Sequence, residues 1–138
     1  MKKALFITAA LFLSMTAYAQ KAEIKFDNTT VDLGKFGPED VIKQCNFTFK
    51  NTGDANLYIH QVIPSCGCTS ESFPKHAIKP GESGTIVLTY NGTKKGARKF
   101  RTSILVHSNA KHEMTKIYIK GEQLPRPIHE VEEITVEE

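Results

Sequence analysis

The chain of 138 residues lacks most of the patterns that announce catalysis. No serine, histidine and acidic residue fall around a nucleophile elbow, no glycine-rich loop follows a strand and opens a helix, and the acidic side chains are scattered. Those absences remove the common hydrolase and nucleotide-binding classes. A sustained i, i+3, i+4, i+7 apolar period is also missing, which argues against a helical fold. No internal repeat is visible. Cysteine is scarce, with three residues at positions 45, 66 and 68, so at least one sulfur stands outside any intramolecular pairing.

What is present begins with "MKKALFITAALFLSMTAYAQ". Lys2 and Lys3 precede an apolar run from Ala4 to Leu13, and Ala17-Tyr18-Ala19 supplies small residues at the cleavage-determining positions. This is the layout of a secretory signal peptide over residues 1–19. A membrane anchor needs about 20 apolar residues, whereas Thr8, Ser14 and Thr16 interrupt this stretch, so no transmembrane segment is expected. Cleavage after Ala19 exposes Gln20 rather than a cysteine, so no lipid anchor is indicated. The short basic start is bacterial in style, and the expected location is the periplasm or the outside of the cell.

The 119 residues that remain suit one domain. Residues 20–123 carry 15 basic and 10 acidic side chains, whereas the tail at 124–138 carries one Arg and five Glu. Nucleic acid is not an expected partner, on compartment. Strand-type alternation recurs along residues 20–123. In "VIKQCNFTFKN" Cys45, Phe47 and Phe49 share one face; Ile86, Leu88 and Tyr90 do so in "GTIVLTYN", as do Phe100, Thr102, Ile104 and Val106 in "KFRTSILVHS". Adding "AEIKF", "TVDLG", "NLYIHQVI" and "TKIYIKG" predicts about seven strands, joined by turns such as "NTGDAN", "KPGESG" and "NGTKKG". The expected fold is all-β, an immunoglobulin-like antiparallel β-sandwich; a small barrel is the alternative. Tryptophan is absent, so the buried strand C tryptophan of antibody domains has no counterpart. The sequence further suggests that Leu57–Ile63 pairs with Val41–Asn51 through "NTGDAN", and that Lys94, Lys95, Arg98, Lys99 and Arg101 lie on a hairpin. In the tail, Val131–Val136 reads either as solvated chain or as a segment able to pair with a sheet edge.

Several of these elements occur in a recognisable order. Phe47, Phe49, Asn51, Thr52 and Gly53 are followed by Ser65–Thr69 as "SCGCT", by Pro80–Glu82, and by a strand ending in Val106, Ser108 and Asn109. From about Ile24 to Glu122 the chain resembles the bacterial family catalogued as domain of unknown function 1573. The resemblance implies an exported immunoglobulin-like domain, similar to sandwich modules of the major sperm protein and cilia-associated type. It implies no activity, and fold kinship does not supply one.

Cys66 and Cys68 can be read in three ways. In an oxidising compartment the first is a structural disulfide. Two positions along an extended strand separate Cα atoms by about 6.6 Å, the upper edge of the permitted range, and a turn at Gly67 with positive φ would shorten it. Cys45 competes for either sulfur, since a bridge from it would close a loop of about 20 residues and contribute roughly 3 kcal/mol. Its simpler role is a small apolar core residue, and the family pattern includes only the Cys66 and Cys68 pair. The second reading is a copper or zinc site on Cys66, Cys68, His60 and His76, although the C-x-C spacing departs from the usual zinc knuckle. The third is thiol exchange, which needs a lowered thiol pKa; Lys75 and His76 are the candidate cations.

The sequence therefore points to an exported binding or assembly module that is not an enzyme, needs no cofactor and contacts a protein partner of the cell envelope. The alternative is a thiol-redox or metal-handling protein centred on Cys66-Gly67-Cys68. Mass spectrometry of protein recovered from the envelope fraction should give an amino terminus at Gln20; an intact Met1 terminus would overturn export.

Overall fold

The computed structural model describes residues 19–127. The leader up to residue 18 and the tail from residue 128, with Val131–Val136, lie outside the described residues. Every regular element described is a strand: β1 (Ile24–Phe26), β2 (Thr30–Phe36), β3 (Ile42–Asn51), β4 (Ile59–Pro64), β5 (Thr69–Ser72), β6 (Ser83–Asn91), β7 (Arg98–Ser108) and β8 (Met114–Gln123). They form two four-stranded sheets, ordered β1-β3-β6-β5 and β2-β8-β7-β4, packed as a sandwich.

Alternation explains the core. Phe47 and Phe49 on β3 sit opposite Ile86 and Gly84 on β6, and Ile104 and Thr102 on β7 sit opposite Ile117 and Ile119 on β8. The side chains of Phe47, Phe49, Ile86, Leu88, Ile104, Ile117 and Ile119 are almost wholly removed from water. Each large apolar side chain buried in this way stabilises the fold by about 1.5–3 kcal/mol. Phe36, Tyr90 and Phe100 close one end of the core, with the Tyr90 and Phe100 rings stacked at 4.2 Å between centroids. Phe26 and Phe49 close the other at 5.7 Å.

Four features differ from the sequence reading. An eighth strand, β5, follows the cysteine pair; its sequence "TSES" has no apolar period, and only Thr69 faces the core. Strand β2 runs parallel to β8, whereas all pairings were expected to be antiparallel. It does so because the chain crosses from the first sheet into the second at Asp27–Thr29 and lies along the last strand. The register slips between Asp32 and Lys35, where Gly34 adopts φ +74° and donates its N–H to Asp32 Oδ1. Strand β4 does not pair with β3; it lies in the opposite sheet against β7. Finally, β6 and β7 belong to different sheets, so residues 92–97 bridge the sandwich rather than turn a hairpin.

One buried side chain explains why β3 and β4 separate. Asn51, fully buried at the end of β3, donates from Nδ2 to the carbonyls of Ala55 and Ile78 at 2.7 and 2.9 Å. Its Oδ1 accepts from the N–H groups of Gly53 and Glu23 at 3.0 and 3.3 Å. The loop is thereby folded back against β1 and the Ile78 segment instead of turning into a hairpin. Gly53 is required beside it, since a Cβ there would overlap the backbone of Lys21 and Glu23. Asn51→Ala should lower stability by about 3 kcal/mol in urea unfolding, because it strands buried backbone groups, while exposed Thr52→Ala should stay within about 0.5 kcal/mol. Equal effects would remove Asn51 from this role.

Candidate functional site

The cysteine pair lies where the chain passes from one sheet to the other. Ser65 N–H donates to Ser103 O at 2.8 Å, holding the exit of β4 on the second sheet. A turn follows, closed by Thr69 N–H to Cys66 O at 3.2 Å, and Asn91 N–H then fastens Cys68 O to the first sheet at 2.7 Å. The turn brings the Cα atoms of Cys66 and Cys68 to 5.2 Å, with their sulfurs at disulfide-bonding distance. It forms without positive φ at Gly67, contrary to the route the sequence suggested. A Cβ at Gly67 would meet nothing within 4 Å. Neither backbone conformation nor crowding explains a glycine there, and the bare backbone is left open to solvent.

Cys45 is apart from this arrangement. It is a free thiol on β3 opposite Leu88, half-buried against the core, and burial pushes its pKa up to about 11. At neutral pH it stays protonated and is a poor nucleophile. The remaining sequence candidates do not gather on the pair. Lys75 lies over the Phe73 ring, 3.2 Å from its centroid. His76 is exposed in the connection between β5 and β6. His60 lies on the outer face of the second sheet, with its ring 5.2 Å from that of His107. Among the described residues no three His, Cys, Asp or Glu side chains converge, so Cys66, Cys68, His60 and His76 are not assembled into one ligand set.

Cys68 lies instead beside the loop between β6 and β7. Gly67, Cys68, Asn91, Thr93, Lys94 and Lys95 line a cleft of about 410 Å³. Its wall is held locally: Asn91 Oδ1 accepts from Thr93 N–H at 3.0 Å, Lys95 N–H donates to Gly92 O at 3.0 Å, and Gly92 N–H reaches Val41 O at 2.9 Å. Behind it, burial raises the pKa of the Tyr90 hydroxyl, against an opposing pull from Arg98, and keeps that ring neutral. The cleft therefore offers two ammonium groups, a rigid sulfur-bearing turn and bare glycine backbone. Sequence reasoning found the basic cluster and the cysteines separately, and nothing in the local pattern joins them. A larger cavity, about 550 Å³, lies beside β2, β7 and β8. Two of its cations already face carboxylates, Lys120 with Asp32 at 3.8 Å and Lys35 with Glu122 at 3.9 Å, and Arg101 lies over the Tyr118 ring.

Solved structures share the architecture at low identity, which speaks for the fold alone. A protein of unknown function from Porphyromonas gingivalis superposes with a TM-score of 0.66 at 22% identity, over 80% of this chain and 50% of that one. The chain thus spans half the length of that relative. The seventh PapD-like domain of human CEP192 matches with a TM-score of 0.60 at 9% identity, over 76% of this chain and 87% of that one. The periplasmic chaperone SfaE matches with a TM-score of 0.54 at 13% identity, over 75% and 58%. No curated protein matches the sequence. Residues 24–123, the whole sandwich just described, match the family described as "Protein of unknown function (DUF1573)", and the chain belongs to that family.

Proposed function

We propose that this chain is an exported, non-catalytic binding module of the bacterial cell envelope, and that it docks an acidic segment of a protein partner at the cleft between the cysteine turn and the Lys94–Lys95 loop. The observation that carries this reading is Gly67: the fold does not require glycine there, yet it lines the cleft and a Cβ added to it would meet only open space. A partner backbone could approach that point closely, as backbone does wherever glycine leaves room. The turn is fastened to both sheets before any partner arrives, so little ordering entropy opposes docking. Lys94 and Lys95 would supply attraction and orientation more than affinity. The SfaE chaperone, named as periplasmic, lends the proposal a fold precedent for an exported sandwich and nothing about the partner.

A second reading is favoured by one feature of the same cleft. Cys68 shares it with two ammonium groups, which would stabilise a thiolate if the pair were reduced. The Cys66 and Cys68 dithiol would then attack a partner's disulfide, form a mixed disulfide and resolve it by closing on itself, passing two electrons and two protons to the partner.

Three measurements separate and test these readings. A photo-crosslinking residue at Lys95, introduced in cells, should give a discrete adduct that Gly67→Leu or Lys94→Glu abolishes without shifting the melting temperature, while a probe at exposed Thr48 should give none. Adducts indifferent to Gly67 would sink the docking proposal. Equilibration of the cysteine pair against glutathione should give a potential below about −300 mV for a structural staple and above about −200 mV for an exchanging pair. With a staple, replacing both cysteines by Ser should cost about 1.5 kcal/mol, the loop-closure value for so short a ring.

A further inference from the structure

The outer face of the second sheet brings together His60, His107 and Met114 from three strands. The pairing of β4 with β7 slips between Ile59, opposite Ser108, and Gln61, opposite His107, so that His60 is the extra residue of a β-bulge beside that pair. Bulges re-aim side chains, and here two consecutive residues, His60 and Gln61, both face solvent between buried Ile59 and Val62. The bulge brings the His60 ring onto His107, 5.2 Å between centroids and inclined at 57°. On the other flank of His107, β8 places Met114 directly opposite it in the antiparallel register. Directly opposed residues hold their Cβ atoms about 4.5–5.5 Å apart on one face. Met114 is 51% exposed, so its thioether is open to solvent.

We propose that His60, His107 and Met114 form a copper site, selective for Cu(I). Two imidazoles and one thioether, with no carboxylate or thiolate, make a neutral and soft donor set. Thioether sulfur selects Cu(I), imidazole accepts it readily, and zinc sites ordinarily draw four N, S or O ligands of which thioether is not one. Among the described residues no third His, Cys, Asp or Glu joins the histidines, which leaves the set at three and favours the low coordination numbers of Cu(I) over four-coordinate zinc. The site lies on an open sheet face, and a metal would reach it without any opening of the sandwich. It uses His60, one of the residues first considered as a partner for Cys66 and Cys68, but in different company. It is also independent of the docking cleft, which is built from the β6–β7 loop and the cysteine turn.

The test is an anaerobic Cu(I) titration of the exported chain, purified without a polyhistidine tag, against the chromophoric chelator bicinchoninate, with Zn(II) titrated in parallel. A single equivalent of Cu(I) should bind, and it should persist in Cys45→Ser and in the Cys66→Ser, Cys68→Ser double variant. His60→Ala and His107→Ala should each weaken Cu(I) by more than about 100-fold, since even outer-shell partners of a metal cost 10–100-fold. Met114→Leu should weaken Cu(I) and leave any Zn(II) binding unchanged. Cu(I) affinity that survives His60→Ala, or that follows the cysteines instead, would overturn the site. His60 is exposed, so that variant decides the matter even if His107→Ala fails to fold.

Discussion

Where β3 ends, a single buried amide holds four backbone groups from three separate stretches of chain. Asn51 bonds Glu23 before β1, Gly53 and Ala55 in the following loop, and Ile78 far along the sequence, and its own N–H and C=O engage Glu82 and Gly81. Buried polar groups left without partners are costly, so the arrangement tolerates little variation. Its consequence is topological. The loop from Thr52 to Asn56 is turned away from β3, and the next strand starts in the opposite sheet.

The cysteine turn depends on that crossing. Because β4 runs along β7, its end arrives at the gap between the sheets, and the chain must cross back to reach β6. Cys66-Gly67-Cys68-Thr69 makes the return in one tight turn, fastened to Ser103 on one side and Asn91 on the other. The same geometry puts Cys68 beside the loop that leaves β6, so that sulfur, lysine ammonium groups and exposed backbone share one cleft. Thiol reactivity is divided accordingly. Cys45 is a protonated thiol insulated by burial, while Cys66 and Cys68 lie at bonding distance from each other.

Much of the sandwich was legible because strand alternation is a local property. Phe47, Phe49, Ile86, Leu88, Ile104 and Val106 are buried as their spacing required. Pairing was less legible. Two strands joined by a short polar loop look like a hairpin, and only the buried Asn51 shows that β3 and β4 are not one. Strand β5 escaped because "TSES" has no apolar period; it is a strand only because β6 offers it hydrogen bonds. The nearness of His60 to His107 escaped as well, since a bulge is a property of two paired strands and neither sequence alone contains it.

By itself the sequence determined the all-β class, the positions of the inward faces, the family and the pair of cysteines spaced closely enough to bond. These follow from side-chain period and from covalent reach, both of which act over a few residues. Tertiary structure alone decided which sheet each strand joins, that β2 runs parallel to β8, and which lysines line a cleft with Cys68. Those outcomes are set by hydrogen bonds and packing between residues tens of positions apart, whose energies exist only once the two sheets have closed on each other.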